Sequence, residues 1–195
     1  PRVVTVIGGG VAGTEAISKA AANNAFVKVI DLSQTKLDEL KLKFGNKDME
    51  YILSTPENIK DAISVSDLVI GAVYVVGKEA PKIVTLEMLK SMNPGTVMVD
   101  ISIDQGGCFE SSRPTTHDNP TFLVDGVLHY CVTNMPGAVP LTATEALNKV
   151  TLPYILELAN KGIDQALKQN IHLKNGLNTQ NGEVTHPGVI EALNK

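Results

Sequence analysis

The chain has 195 residues, of which 43% are hydrophobic and 19% are charged, and its formal net charge is −4. This composition predicts a globular protein with a sizeable core, and the negative charge argues against nucleic acid or an anionic membrane as a partner. We expect no transmembrane helix, because no apolar run approaches the ~20 residues that span a bilayer, and no signal peptide, because none precedes the first predicted strand. Cys108 and Cys131 lack metal-ligand spacing, which favours reduced thiols in a cytoplasmic protein over a disulfide or a metal site.

Short apolar runs alternate with stretches of helical periodicity along the first two thirds of the chain. The unbroken apolar run at residues 68–73 is typical of a strand covered on both faces in a parallel sheet. The alternation predicts an α/β fold with a doubly wound parallel sheet. The predicted strands lie at residues 3–7, 26–30, 51–53, 68–73, 97–103 and 127–132, with a weaker candidate at 121–124, and the predicted helices at 11–22, 34–44, 57–65 and 86–92.

The sequence after Gly137 changes to a helical texture. The capping-box pattern Thr142-x-x-Glu145 predicts a helix that runs to about residue 149, and a second helix opens near residue 151 with Pro153 in its first turn. We expect Gly162 to end that helix, a shorter one at 163–169, and a loop-rich tail at 172–195 closed by a helix at 188–193. The prediction is therefore a first domain at 1–138 and a helical extension at 139–195.

The segment Gly8-Gly9-Gly10-Val11-Ala12-Gly13 contains the pattern G-x-G-x-x-G between a predicted strand and a predicted helix. In that context Gly8 permits a tight turn, Gly10 lets a pyrophosphate approach the backbone, and Gly13 lets the helix pack on the strand. The first helical N–H groups, around Val11 and Ala12, then face the phosphates. The alternative is a structural glycine turn, but the context favours a dinucleotide-binding Rossmann domain.

Asp31 ends the second predicted strand, 18 residues after Gly13. A carboxylate there accepts hydrogen bonds from the adenosine ribose and repels a 2′-phosphate, and no arginine follows within three residues, so NAD is favoured over NADP. Lys36 is either an adenosine contact or a solvated lysine on a helix face. Ser54 follows the third strand and either contacts the adenine end or caps the helix that opens at Pro56.

Two further polar residues follow predicted strands at the edge where such sheets bind ligands. Asp104, just before two glycines, is either a proton-transfer or orienting group near the nicotinamide, or an aspartate that forms an Asx turn. Asn134 either binds a carboxamide or substrate carbonyl, or belongs to a structural Asn-x-Pro-Gly turn. The four histidines show no ligand spacing, and we expect His129 to be a satisfied residue of the sheet.

Several motifs are spread over the length of the chain. They are VDISIDQGGCFE (99–110), RPTTH (113–117) and HYCVTNMPGAVP (129–140), supported by residues 6–13, Asp31, AISVSDLVIGAV (62–73), KEAP (78–81) and TLPYILELANKG (151–162). Through these motifs the whole chain resembles the alanine dehydrogenase family. The related dinucleotide domain of proton-translocating transhydrogenases shares the glycine pattern, but we do not expect it to share the DQGGC pattern.

The resemblance implies reversible, NAD-dependent oxidation of L-alanine to pyruvate and ammonia, with hydride passing from the substrate Cα to the nicotinamide. It also implies that Asp104 and Asn134 are catalytic residues beside the nicotinamide and the substrate. Ser54 and Lys36 match contacts on the adenosine side. The remaining cofactor neighbours that it implies are Val73, Ile103, Val132 and Met135.

Family members carry an N-terminal region that forms most of the substrate domain and supplies a lysine and a histidine. This chain begins at the first Rossmann strand, so we expect that region to be missing, residues 139–195 to belong to the substrate domain, and this portion alone to be inactive. The resemblance further implies a homo-oligomer, a hexamer in the family. The alternative is an NAD(H)-binding domain of a transhydrogenase-like protein or a stand-alone redox-sensing module.

Overall fold

The computed structural model describes residues 2–75 and 79–194, which fall into two compact units. Residues 2–75 and 79–134 form the first, here named the sheet unit, and residues 135–194 form the second, the C-terminal unit. Lys78, the first residue of the KEAP motif, lies outside the described residues. Which functional domain each unit belongs to stays a prediction.

The sheet unit is built on seven strands in the order β3-β2-β1-β4-β5-β7-β6, and neighbouring strands are parallel except for β6 and β7. Ile7 in the central strand stands opposite Ile30 and Gly71 of its two neighbours. This order confirms the predicted doubly wound Rossmann sheet. The strands are β1 (Val3–Ile7), β2 (Phe26–Asp31), β3 (Met49–Leu53), β4 (Leu68–Gly71), β5 (Val97–Asp100), β6 (Thr121–Val124) and β7 (Val127–Tyr130).

Helices cover both faces of this sheet. Val6 belongs to a core cluster with residues of α1 and α2, whereas the next residue, Ile7, belongs to a cluster with residues of α3 and α4. Alternate residues of one strand are therefore buried on opposite faces, and each such aliphatic side chain stabilises the fold by about 1.5–3 kcal/mol. The helices are α1 (Val11–Ala22), α2 (Gln34–Phe44), α3 (Pro56–Ser64) and α4 (Leu86–Leu89).

The clearest boundary error in this unit concerns the strand predicted at 97–103. The strand ends at Asp100, and a 3₁₀ helix follows at Ile101–Gln105. The Asp100 carboxylate accepts a hydrogen bond from the Ser102 N–H at 3.0 Å, which turns the chain although Ile-Ser-Ile has a strand-like composition. The strands predicted at 68–73 and 127–132 end at Gly71 and Tyr130, two residues before their predicted ends. The helix predicted at 86–92 ends at Leu89.

In the C-terminal unit, the prediction of two helices separated near residue 150 is wrong. A single helix, α5 (Pro140–Lys161), runs through Pro153, and the Thr151 hydroxyl donates to the Leu147 carbonyl at 2.9 Å inside it. Pro140 occupies the first helical position, so Thr142 is an interior residue and the predicted capping box is wrong. The tail adds a helix and a hairpin that were not predicted. The other elements are α6 (Ile163–Gln169), α7 (Ile171–Asn175), β8 (Thr179–Gln180), β9 (Glu183–Val184) and α8 (Pro187–Leu193).

Candidate functional site

A cleft of about 810 Å³ opens at the carboxyl ends of β1, β2, β4 and β5. That volume lies within the range of about 300–1,000 Å³ that is typical of small-molecule and cofactor sites. The residues that line it all belong to the sheet unit. Among them are nine residues predicted from the sequence: Gly8, Gly10, Val11, Ala12, Asp31, Lys36, Ser54, Val73 and Asp104.

The glycine loop forms one wall, and each predicted glycine has a distinct steric reason. Gly8 has a φ of +101°, and a Cβ there would lie 2.5 Å from the Ala72 carbonyl oxygen. A Cβ on Gly13 would lie 1.8 Å from the Gly8 carbonyl oxygen, so this glycine lets α1 approach the loop. At Gly10 no described atom lies within 4 Å of the corresponding position, so the backbone there is open to the cleft. Among the described residues no side chain caps α1, which leaves its first N–H groups for a ligand.

Asp31 joins the glycine loop to the segment after β2. Its Oδ2 accepts a hydrogen bond from the Gly9 N–H at 2.7 Å, and its Oδ1 accepts one from the Ser33 N–H at 2.8 Å. Lys36 also lines the cleft, but its ammonium group pairs with Glu39, which raises the pKa of Lys36 above its ordinary value. Both predicted roles of Lys36 are compatible with this position.

Ser54 lies at the cleft, and its N–H donates to the Asp31 carbonyl oxygen at 2.9 Å. The alternative in which Ser54 caps α3 is wrong, because Thr55 does so: its Oγ1 accepts a hydrogen bond from the Asn58 N–H at 3.1 Å. The sequence offered two adjacent hydroxyl side chains, and the backbone direction selected the second as the cap.

The structure brings Asp104 and Asn134 together. Asp104 is exposed at the cleft, and its two carboxylate oxygens accept hydrogen bonds from the Asn134 N–H at 3.3 and 3.4 Å. Asn134 has a φ of +51°, a backbone conformation that asparagine tolerates better than most residues. The contact therefore places an exposed carboxylate at the cleft, next to the segment that follows β7.

The turn-forming role considered for Asp104 belongs to Asp100, which sequence reasoning did not single out. This carboxylate is fully buried and accepts hydrogen bonds from the Cys108 N–H at 2.9 Å, the Phe109 N–H at 3.3 Å and the Ser112 hydroxyl at 2.5 Å, besides that of Ser102. Such a set of donors satisfies the buried carboxyl group and shapes the loop that carries Asp104. An aspartate two residues before a serine is a weak Asx signal, and it was present in the sequence.

The other cysteine and histidine predictions concern buried groups. Cys108 and Cys131 are both free and buried, and burial raises the pKa of each thiol. His129 is fully buried and satisfied, as predicted: its Nδ1–H donates to the Val127 carbonyl at 3.0 Å, so Nε2 accepts from the Ser111 hydroxyl at 2.7 Å. Within the described residues, no group of histidine, cysteine and carboxylate side chains forms a metal site, and no helix is long and apolar enough to cross a membrane.

Five predicted residues do not line the cleft. Three of them are buried, namely Gly13, Ile103 and Val132. Asn134 is exposed beside Asp104, and Met135 belongs to the C-terminal unit. Conversely, the cleft is also lined by residues to which the sequence analysis assigned no role. Among them are Tyr74 and Ile83, which belong to no quoted motif, and Pro81 and Gln105, which belong to the KEAP and VDISIDQGGCFE motifs.

Comparison with known proteins places this geometry in context. The model of the family "Alanine dehydrogenase/PNT, C-terminal domain" matches residues 1–187. Alanine dehydrogenase of Halomonas elongata is 50% identical over 193 residues, which are 99% of this chain and 52% of the relative. Alanine dehydrogenase 2 of Staphylococcus aureus is 52% identical over 191 residues, 97% of this chain and 51% of the relative.

Solved structures agree with the sequence matches. An L-alanine dehydrogenase superposes with a TM-score of 0.86 and 44% identity, covering 100% of this chain and 53% of the other. A transhydrogenase from Sinorhizobium meliloti superposes with a TM-score of 0.70 and 29% identity, covering 95% and 50%. The chain thus spans about half the length of these relatives.

Proposed function

Since the chain belongs to the alanine dehydrogenase/PNT C-terminal domain family, we propose that it supplies the NAD-binding part of an enzyme that reversibly oxidises L-alanine to pyruvate and ammonia. The observation that carries the proposal is the single cleft that unites the glycine loop, Asp31 and Asp104. A redox sensor needs the glycine loop and Asp31 to bind the cofactor. An enzyme also needs a group that can transfer protons, and the exposed Asp104 carboxylate can serve as one. Bound NAD would supply the hydride acceptor.

The residues present fit a dinucleotide. The open backbone at Gly10 and the uncapped first turn of α1 can bind a pyrophosphate, and the Asp31 carboxylate at the rim can accept hydrogen bonds from ribose hydroxyls. Asp31 already accepts two backbone N–H groups, so its position is fixed before a ligand binds. A 2′-phosphate would meet this negative charge, which favours NAD over NADP.

Asp104 is the group that we assign to proton transfer. Its carboxylate is exposed and held by the Asn134 N–H, so it can accept a proton from the substrate amine or from the attacking water and return it. We assign Asn134 to orienting both Asp104 and the substrate. Val73, Ile103, Val132 and Met135 remain proposed neighbours of the cofactor.

The rest of the substrate site is assigned to sequence that the relatives possess beyond their match to this chain. The C-terminal unit supports this assignment, because of the described residues of α5 none is buried. We propose that residues 139–195 belong to the substrate domain and that copies of the protein assemble as a homo-oligomer, hexameric as in the family, in the cytoplasm. The exposed apolar residues of α5 are Leu141, Leu147, Val150, Leu152, Tyr154, Ile155 and Leu156.

The second candidate function is an NAD(H)-binding domain without a substrate site of its own, as in a transhydrogenase-like protein or a redox sensor. The superposition on the Sinorhizobium meliloti transhydrogenase favours it, although its identity of 29% is lower than the 44% of the L-alanine dehydrogenase. The two candidates share cofactor binding and differ in whether alanine reacts.

The test uses this chain and a joined enzyme, in which the chain is fused to the part of the Halomonas elongata relative that it does not match. By titration calorimetry we expect the chain to bind NADH at least about tenfold more tightly than NADPH, since a lost charge-assisted hydrogen bond is worth about 1.5–3 kcal/mol. We expect alanine-dependent reduction of NAD by the joined enzyme and essentially none by the chain alone.

Each result separates one assignment from another. Equal binding of NADPH would show that Asp31 does not select the cofactor. NADH binding together with an inactive joined enzyme would favour the domain without a substrate site. Robust turnover by the chain alone would contradict the assignment of substrate-binding groups to another region.

A further inference from the structure

Residues 79–86, here named the bracing segment, run beside the loop that follows Asp104. Backbone and side-chain hydrogen bonds join the two at both ends and in the middle. They are Ala80 N–H to Gln105 O at 2.8 Å, Ile83 N–H to Cys108 O at 2.8 Å, Glu110 N–H to Val84 O at 2.8 Å and Leu86 N–H to Glu110 Oε2 at 2.7 Å.

Lys82 reaches from the bracing segment to the two glycines of this loop. Its ammonium group donates to the Gly106 carbonyl oxygen and, at 2.8 Å, to the Gly107 carbonyl oxygen. Both glycines have a positive φ, +86° and +77°, and a Cβ on Gly107 would lie 2.8 Å from Asp100 Oδ2. Neither glycine has a side chain that could hold the loop in place. The contact of Lys82 with their carbonyl oxygens does so instead.

The contact of Lys82 connects two walls of the cleft. Pro81 and Ile83, which flank Lys82, line one side, and Asp104 and Gln105, which precede the glycines, line another. Movement of the glycines relative to the bracing segment would change the distance between these walls.

We propose that Lys82 is a positioning residue: it fixes Gly106 and Gly107 and thereby holds Asp104 at the cleft. The bonds from the Asn134 N–H to Asp104 are long, at 3.3 and 3.4 Å, so they constrain the carboxylate weakly. Hydrogen bonds from an ammonium group are stronger than neutral ones, and glycine has more conformational freedom to lose than any other residue. Asp100 shapes the loop through bonds to residues on either side of the glycines, and the contact of Lys82 is the one expected to fix the two glycine carbonyls themselves.

The first test measures loop opening in this chain and is independent of catalysis. In a Cys131→Ala background, Cys108 is the remaining thiol, and its rate of labelling by a disulfide reagent under native conditions reports exposure of the loop. We expect Lys82→Met to raise this rate at least tenfold and Lys82→Arg to raise it less. Lys90→Met is the matched control, because Lys90 is an exposed lysine of the same unit whose ammonium group lies 3.9 Å from Glu87 rather than on a carbonyl of the loop, and it should leave the rate unchanged.

Urea unfolding of the same variants distinguishes local from global effects. An unchanged labelling rate in Lys82→Met overturns the proposal. The proposal is also overturned if the increase in labelling rate, converted to a free energy, equals the loss in the free energy of global unfolding. The lysine would then stabilise the whole fold and not the loop in particular.

The second test asks whether Asp104 is what the loop positions, and this part rests on the proposed function. In the joined enzyme we expect Lys82→Met to lower kcat at least tenfold, to change the NADH dissociation constant less than twofold, and to be largely rescued in Lys82→Arg. An equal loss of NADH affinity would make Lys82 a cofactor-binding residue and overturn the proposal. If the unsubstituted joined enzyme is inactive, the proposed function has failed, whereas the labelling result still decides whether Lys82 fixes the loop.

Discussion

The two units of the chain use apolar residues in opposite ways. In the sheet unit, the 12-residue helix α1 buries Gly13 and fully buries Ile17 within a core cluster that continues into the strands. In the C-terminal unit, the described residues of the 22-residue helix α5 include none that is buried. A helix of that length with apolar side chains on its surface is typical of one that packs against a partner. The sheet unit has its own core, whereas the described residues of α5 remain uncovered.

The difference has an energetic consequence. Covering a leucine or isoleucine contributes about 1.5–3 kcal/mol, which the exposed residues of α5 do not yet contribute. The polar contacts of α5 include those of Glu157, which accepts from Lys161 at 2.8 Å and from Asn170 at 2.7 Å. Ion pairs near the surface contribute little, so we expect the C-terminal unit to be the less stable of the two.

The largest expected effect tests whether the chemistry resides in the sheet unit. In the joined enzyme, Asp104→Asn keeps the size of the side chain but removes its charge and basicity, so kcat should fall by about 10²–10⁴-fold. NADH affinity should change little, because Asp31 and the glycine loop are untouched. Steady-state kinetics and a separate NADH titration measure both quantities.

Asp118→Asn is the control for loss of an exposed carboxylate elsewhere in the sheet unit. A kcat within about threefold of the parent in Asp104→Asn would exclude a catalytic role. A parallel loss of rate and NADH binding would instead make Asp104 a cofactor ligand.

The next prediction compares one residue type in the two units. Ile17 in α1 is fully buried, and Ile17→Ala should lower the free energy of unfolding by about 2–5 kcal/mol. Ile155 in α5 is 57% exposed, so Ile155→Ala should change it by about 0.5 kcal/mol or less. Urea denaturation of both variants of this chain measures the difference. Similar losses would show that α5 is covered within the chain and would remove the contrast between the units.

The parts of the site that sequence predicted are those encoded locally. The roles of Gly8 and Gly13 follow from a short pattern between a strand and a helix, and the steric contacts of both glycines agree with it. The distinction between Asp100 and Asp104 was not available, because both flank the same Ile-Ser-Ile and the difference depends on where the strand ends. The contact of Lys82 with Gly106 spans 24 residues and joins a side chain to a backbone carbonyl, for which no sequence pattern exists.

The C-terminal unit shows the same limit from the other direction. The pattern Thr142-x-x-Glu145 and the position of Pro153 both indicated helix starts, and both are interior to α5. The helix continues through Pro153 although proline removes one backbone hydrogen-bond donor. Local start signals therefore compete with helix continuity, and the sequence alone does not decide between them.

A smaller effect separates folding from cofactor binding within the glycine loop. Gly13→Ala would place a Cβ 1.8 Å from the Gly8 carbonyl oxygen, so α1 must shift and the free energy of unfolding should fall by about 2–3 kcal/mol. In Gly10→Ala no described atom lies within 4 Å of the new Cβ, and stability should fall by about 1 kcal/mol or less.

The effect of Gly10→Ala should instead appear in the affinity for NADH. Gly10→Ala adds a methyl group where the pyrophosphate is proposed to approach, so its dissociation constant should rise at least about tenfold despite intact stability. Calorimetry of the folded variant measures it. Unaltered NADH binding in Gly10→Ala would place the pyrophosphate elsewhere.

The smallest expected effect is a pH dependence that arises in the sheet unit. Burial lowers the pKa of His129 below the ordinary value of 6.5, and the hydrogen bond to the Val127 carbonyl and the nearby Asp100 carboxylate oppose this only in part. The folded chain therefore holds the imidazole neutral, with its Nε2 accepting from Ser111, while the unfolded chain takes up a proton below about pH 6.5. The stabilisation is complete above that pH and is lost as the pH falls towards the lowered pKa, by at most about 1.4 kcal/mol per pH unit.

His129→Gln removes the titration, so its free energy of unfolding should vary less between pH 7 and pH 5 than that of the parent. His172→Gln, at an exposed position in α7, should keep the parent's pH dependence because folding does not bury that side chain. If His129→Gln retains the full slope and His172→Gln loses it, the acid sensitivity arises in the C-terminal unit, and His129 is not its source.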